Sequence, residues 1–512
     1  MLPWLLVPLL LLVSAAAAFL PRLWAASPSL PPPPRLPREG ELVYTIQDGD
    51  SGELMPGRLT FIGVDGTPNP SFTRNDIGRQ EAGAILAYNK LMTLTGLGAV
   101  RVPVGSYDIY VSRGPEWDLK VLRKVRVGEQ AVTVRAALRR MVQTAGWLSA
   151  DLHVHAACSP DSQVPMLHRV YEFVAEGVEM IAATDHNVVC DYTGVIALLG
   201  MERHLVSTPG DELTTASWGH FGILPLPQDL TRAGHGAPQA RGRTAAEMFR
   251  EVRLVAPEAL INVHHPRIDP QIGYFTIGQY DSRSDQAGRK GFSLDVDAIE
   301  VLNGYQDADR HSVDRMIEDW LNLLNHGHLV TATGNSDTHH MTFNLGGYPR
   351  NYIMVQEDQP AAVTPQEIVR ALKAHRSFFS TGPFVKLLVG GGRLGDVVPV
   401  PPRGHVRVEI EVQAAPWISV STVSLYLGNQ EHQRWSVAPG IDVVRFRQSL
   451  EVQVAHDSFV VVRVDGDRSL WPVVGDNHRY EVLPLALTNP VFLDVDGNGA
   501  YDAPLPHGKH GP

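Results

Sequence analysis

The chain has 512 residues, 44% of them hydrophobic and 19% charged, enough to bury several cores and, at usual domain sizes, about three or four domains. Its formal net charge of -11 argues against a general nucleic-acid binder, which needs a basic surface, so no nucleic-acid-binding face is expected. An anionic small substrate is not excluded, because bound metal ions dominate the local field.

In chain order, Leu2 to Leu20 form an uncharged apolar run leading into small residues at Ala15 to Ala18, the pattern of an export segment. Its length is near the roughly 20 residues that span a bilayer, and no Lys or Arg precedes it. Residues 1–26 therefore read as either a cleaved signal peptide or an N-terminal membrane anchor. Either places the protein in the periplasm, outside the cell, or on a membrane facing outward. Residues 27–39, with SPSLPPPPRLP, read as an extended, semi-rigid linker. Residues 40–146 alternate apolar with polar residues between Gly/Pro turns, as in AVRVPVGSYDIYVSRG, and are expected to be β. The segment VPVGSYDIYVSRGPEW resembles the carboxypeptidase-regulatory type of small β-sandwich. One insert, NPSFTRNDIGRQEAGAILAYNKLMTLTG, does not fit a strand meander and reads as a loop reaching towards the active site.

Residues 147–385 change to apolar strand runs alternating with helical stretches, the texture of an α/β fold. Leu167, Val170, Tyr171 and Val174 fall at helical spacing, and Thr364 with Glu367 sits at the offset of a capping box. The segment DLHVHAACSPD opens on a strand in which Asp151, His153 and His155 share one face. Asp161 follows closely, and a second apolar strand ends in Asp185 and His186 within TDHN. Histidines and aspartates converging at strand ends suit a divalent metal. Later stretches add Glu212 and His220, the pair His264 and His265 before a proline, and Asp337 with His339 two residues on. Adjacent strand residues face opposite ways, so one of the His264–His265 pair is expected to point inward.

These motifs, in this order, resemble the polymerase-and-histidinol-phosphatase (PHP) family of metal-dependent hydrolases. The resemblance implies a distorted (β/α)7 barrel, here flanked by small β-sandwiches on both sides. It implies as metal ligands His153, His155, Asp161, His186, Glu212, His220, His265, Asp337 and His339. In the family the ligand stands immediately before proline, which selects His265. Asp161 stands where the family often has histidine, a harder donor that favours manganese or iron over zinc. So large a set supports two or three divalent transition ions, zinc, manganese or iron. Asp185 is a candidate to support a ligand histidine or accept a proton, Arg267 to grip an anionic substrate or form a buried ion pair, and Glu300 to support a ligand. The combination of PGDELTT, GHFGILP, NVHHPR and EVLNG is similar to an exported branch that includes carbamate hydrolases. The expected activity is hydrolysis of a phosphoester or of a carbamate or carboxyl ester in a small molecule. The rival is a non-catalytic surface or carbohydrate-binding protein on a degenerate barrel.

Residues 386–490 return to β texture, with Val406, Val408, Ile410 and Val412 on one strand face, and read as a second sandwich. Residues 491–512 carry LDVDGNGAYD, in which Asp494, Asp496, Asn498 and Asp502 fit an EF-hand-type calcium loop except for Leu505 at the last position. A structural calcium site and a plain Asp/Gly turn both remain open. So do a disulfide between Cys158 and Cys190, the chain's two cysteines, and a pair of semi-buried thiols.

Overall fold

The computed structural model describes residues 38–506 and 508, apart from 74, 76, 269–270, 305–309, 342–343, 402–403 and 476–480. The export segment and all but the end of the proline-rich linker lie outside the described residues. Among those described, no helix is long and apolar enough to cross a membrane.

Alternation in the first stretch produces a β-sandwich. Glu39–Asp48 is flanked by Leu97–Pro103 and Val132–Leu138 in one sheet, while Gly57–Val64 and Gly105–Ser112 are neighbours in a six-stranded second sheet. Their inward residues, Leu42, Tyr44, Ile46, Leu59, Phe61 and Ile109 among them, form one buried core. The insert expected to be a loop over the active site is instead a short meander: Arg79–Glu81, Ala84–Ala87 and Lys90–Thr93 extend the second sheet by antiparallel pairing. Its apolar residues Ile85, Met92 and Leu94 pack in the cluster that holds Val170 and Phe173 of the helix Met166–Ala175, which buries them better than a solvent loop would.

The expected (β/α)7 barrel is not what the chain forms. The described residues hold thirty strands and only six α-helices, one of them the four-residue Tyr274–Ile277, and the fold is rich in β-sandwich. The motif-bearing strands divide between two sheets. Trp147–Val154 and Met180–Ala183 are parallel neighbours in an eleven-stranded sheet. That sheet then turns antiparallel through Arg350–Met354 and Ser377–Ser380 and runs on into Leu485–Thr488 and Ser458–Asp465 of the C-terminal stretch. Asp211–Thr214, His220–Leu224, Leu260–Val263, Ala298–Asn303 and Thr331–Asn335 form a separate five-stranded sheet. A sheet edge satisfied by antiparallel partners has no need to close on itself, and alternation of strands and helices cannot reveal which partner an edge will take. The two sheets do meet, through isolated parallel bridges Val154↔Thr338 and His186↔Glu212.

In the C-terminal stretch, His405–Gln413 pairs with Phe384–Val389 and Val444–Gln453, and Val406, Val408, Ile410 and Val412 are all buried as the alternation requires. The helix Pro365–Lys373 begins where expected: the Thr364 hydroxyl accepts the Glu367 amide at 3.2 Å. Two residues after its end lies His375, which is buried against the edge of the Phe492 ring. Thr331 Oγ1 donates to the Leu372 carbonyl and therefore accepts from His375 Nδ1 at 2.8 Å.

Burial pushes the His375 pKa down to about 4. A histidine that is harder to protonate when folded contributes stability fully above its unfolded value, about 6.5, and loses it as pH falls towards 4. Unfolding free energy should therefore drop by about 3 kcal/mol from this group across that window. His375→Asn, which tolerates the positive φ of 57° there, should flatten that part of a denaturation-versus-pH curve.

Candidate metal centre

The centre forms where the two sheets face each other, and at its middle is the fully buried carboxylate of Glu212. Its Oε1 lies 3.1 Å from His153 Nε2, 3.3 Å from His220 Nδ1, 2.9 Å from His264 Nδ1 and 3.4 Å from His265 Nε2. Its Oε2 lies 2.6 Å from His186 Nδ1 and 3.5 Å from His155 Nε2. Asp337 Oδ1 is 3.2 Å from both His153 Nε2 and His155 Nε2. Asp161 Oδ2 reaches His186 Nε2 at 2.9 Å and His339 Nε2 at 3.1 Å. All nine expected ligands are thus brought together. Their donor atoms fall into overlapping groups, including His155, Asp161, His186 and His339; His153, His265 and Asp337; and His186, Glu212 and His220.

Hydrogen bonding fixes which ring nitrogens face inward. Glu300 Oε1 accepts from His153 Nδ1 at 3.0 Å. Ser159 Oγ gives its own proton to Asp161, so it accepts from His155 Nδ1 at 3.2 Å. Thr214 Oγ1 donates to the Glu212 carbonyl and accepts from His186 Nδ1 at 2.5 Å, and the Asp337 carbonyl accepts from His339 Nδ1 at 2.9 Å. With Nδ1 engaged as a donor, Nε2 is the nitrogen that each of these four rings has left to offer an ion. Two such nitrogens, Nε2 of His153 and of His155, face each other at 3.0 Å beside two carboxylates. Ligand bonds of about 2.0–2.1 Å set donor atoms on one ion about 3 Å apart. The donors therefore fit a divalent ion.

The electrostatics carry the same demand for positive charge. Burial favours the neutral ring of His153, yet the carboxylates of Asp337, Glu212 and Glu300 outweigh it and hold its pKa well above the ordinary value. Burial likewise disfavours charge on Glu212, and the rings of His153, His220 and His186 reverse this, keeping it well below the usual carboxylate range. His155, dominated by burial and then by His339, is pushed down to about 3. His265 and Asp337 both hold positive φ, 29° and 52°, uncommon for residues other than glycine and typical of constrained sites.

His264 also enters, although its strand neighbour carries the expected ligand. Its Nδ1 donates to Glu212 while its ring stacks on His153 at 3.5 Å between centroids. Its Nε2 abuts Gly222, where a Cβ would come within 2.3 Å, so only glycine admits the ring. Glu300 braces the site more widely than a single contact: besides His153 it accepts the His265 amide at 2.7 Å and the side-chain amides of Asn335 and Asn303. Ser159 and Thr214 went unread in the sequence, yet each stands two residues from a ligand, Asp161 and Glu212.

Other candidates lie elsewhere. Asp185 does not line the cavity above the centre; its Oδ1 accepts the Ala156 amide at 2.7 Å, and burial pushes its pKa up to about 7. Arg267 is held by Asp319 at 2.5 and 3.2 Å and by the Tyr280 carbonyl, the buried ion pair rather than an anion grip. Asp494 uses both oxygens on the Gly497 and Gly499 amides, and Asn498 donates to Asp496 and Asp502, hydrogen bonds of an Asp/Gly turn. Cys158 and Cys190 form a disulfide. The cavity over the metal-facing residues has a volume of about 360 Å³, with Ile268, Ile272 and His340 at its wall.

No family model matches the chain, and no curated protein matches it. Two structures of the CARDB domain of PF1109 from Pyrococcus furiosus are similar over 22% of this chain. A solution NMR structure is 18% identical, with 97% of that chain covered and a TM-score of 0.15. A crystal structure of the domain in complex with di-metal ions is 17% identical, with 96% covered and a TM-score of 0.16. At such scores neither informs the fold or the centre.

Glu300→Gln should leave the fold intact and weaken metal binding by about 10–100-fold, the usual effect of losing a partner that orients a ligand histidine. Titration of the metal-free protein with Mn²⁺ or Zn²⁺, followed by calorimetry, reads this directly.

Proposed function

We propose that the protein is an exported, multinuclear metal-dependent hydrolase that cleaves a phosphoester or a carbamate or carboxyl ester bond in a small molecule. This is the activity that its motifs' resemblance to PHP hydrolases implies. The observation that carries the reading is Glu212, whose Oε1 lies near Nε2 of His153 and His265 while its Oε2 lies near Nε2 of His155, so that its two oxygens could each serve a different ion. Two or three zinc, manganese or iron ions are the cofactors in keeping with the donor set.

Bound there, such ions would supply an activated water and polarise the substrate oxygen it attacks. The chain's part is positional. Glu300, Ser159, Thr214 and the Asp337 carbonyl keep the Nδ1 protons in place, so the inward nitrogens need no rearrangement as charge develops on the substrate. Burial of Glu212, His153 and His155 excludes water behind them. Ile268 and Ile272 offer apolar wall to the part of the substrate that does not react. The Cys158–Cys190 bridge supports export, since such bonds persist in oxidising compartments.

Metal-supplemented protein should hold more than one transition ion per chain. It should turn over at least one of p-nitrophenyl phosphate, bis-p-nitrophenyl phosphate, p-nitrophenyl acetate and an aryl carbamate. His155→Ala should lose metal and at least about 100-fold of that turnover, more than an outer partner costs, with circular dichroism unchanged. Metal bound with no turnover on any substrate class would favour the surface-binding alternative, and turnover retained in His155→Ala would sink the assigned centre.

A further inference from the structure

His264 stands apart from the other histidines around Glu212. Its strand, Leu260–Val263, ends one residue before it, and its own amide is held by the His220 carbonyl at 3.1 Å, so the sheet fixes the base of the side chain. The ring is wholly buried. Its Nδ1 lies 2.9 Å from Glu212 Oε1, while its Nε2 is turned onto Gly222 and has no hydrogen-bond partner. Nδ1 is therefore the nitrogen through which this ring acts.

Two roles are open to such a nitrogen: ligand to an ion, or donor to the carboxylate. A nitrogen of His264 falls in one group of donor atoms with His153 and Glu212, which would suit a shared ion. The stacking argues against it. The rings of His153 and His264 are only 17° from parallel, with centroids 3.5 Å apart. Imidazole lone pairs lie in the ring plane, so those of two stacked rings run side by side and do not converge. An ion bound in the plane of His153 would lie well outside the plane of His264. His264 is then a donor, and the atom it serves is Glu212 Oε1.

That contact bears on how Glu212 meets metal. A carboxylate oxygen has two acceptor positions. With one of those on Oε1 taken by His264, the other is left for an ion beside His153 and His265, while Oε2 faces His155. A carboxylate free to turn can instead put both oxygens on one ion. Gly222, on the neighbouring strand, is what leaves the ring room to reach Glu212.

We propose that His264 is a positioning residue that sets the number of ions. By holding Oε1 it keeps Glu212 between two ions, one oxygen to each, and prevents both oxygens from closing on one. The proposal rests on the multinuclear reading of the centre.

Mn²⁺ titration of the metal-free full chain, followed by calorimetry and by electron paramagnetic resonance, tests it. Two ions joined by a carboxylate give an exchange-coupled signal that isolated ions do not. The unaltered protein should take up at least two ions and show the coupled signal; fewer than two would overturn the multinuclear reading itself. His264→Leu removes the donor and should keep the first ion, weaken the second at least about tenfold and lose the coupled signal. His264→Asn places an amide nitrogen where Nδ1 stood and should restore both, which a role in filling space alone would not do. Gly222 holds no positive φ, so Gly222→Ala suits the backbone while driving the ring from Glu212, and should behave as His264→Leu does. It takes the place of the Leu variant should that one not fold. A coupled pair kept in the Leu variant or its stand-in, or lost as fully in the Asn variant, would overturn the proposal and leave the multinuclear reading in place.

Discussion

A single buried carboxylate organises this molecule. Glu212 has no access to solvent, and a charge in that position survives only among compensating groups. The compensation comes from six histidines contributed by separate segments of the chain, so the two sheets must be brought face to face to provide it. The sheets touch through bridges at Val154 and His186, each beside a ligand. The chemistry of the centre and the meeting of the sheets are thus one constraint.

That constraint explains the polar lining behind the ligands. Glu300 serves His153 with one oxygen and the His265 backbone with the other, while Asn303 spans Glu300 and Asp337. Asp151, whose pKa burial pushes up to about 6, takes amides from His153, Ser336 and Gly347, tying the first motif to the last. A network in which nearly every member has its partner holds donor atoms far more tightly than loops alone could. His264 belongs to this support: its contact with Glu212 and its stack on His153 fix the two groups on which the donor geometry turns.

How far the sequence could be read follows from which signals are local. Alternation in DLHVH placed His153 and His155 on one face because the period of a strand is fixed by its backbone. The same rule buried Val406, Val408, Ile410 and Val412. The family resemblance of the motifs implied a barrel, with which the alternating strands and helices were compatible, and here the reading failed, because strand pairing is decided by partners more than a hundred residues away. Ser377–Ser380 chose Leu485–Thr488, and no short-range pattern announces that. The insert at residues 69–96 misled for a related reason: its strands are only three or four residues long, too short to show a period, and are defined by docking on an adjacent helix. For Arg267 an anion grip and a buried ion pair stayed open in the sequence, because its partner Asp319 lies on a helix 52 positions later. Ser159 and Thr214 were legible in principle, two residues from ligands, but a hydroxyl carries no metal signature until the neighbouring ring nitrogen is known.

The bridge between Cys158 and Cys190 has a consequence for how the protein matures. One cysteine lies three residues before Asp161 and the other four after His186, so the covalent bond joins the two loops whose side chains meet at 2.9 Å. Under the proposed function, thiol pairing and ion capture would restrict the same segments, and by linkage the effect of one on the other would be reciprocal. Were the coupling favourable, oxidation would prepare the loops for an ion, and the ion would protect the bond from reductants.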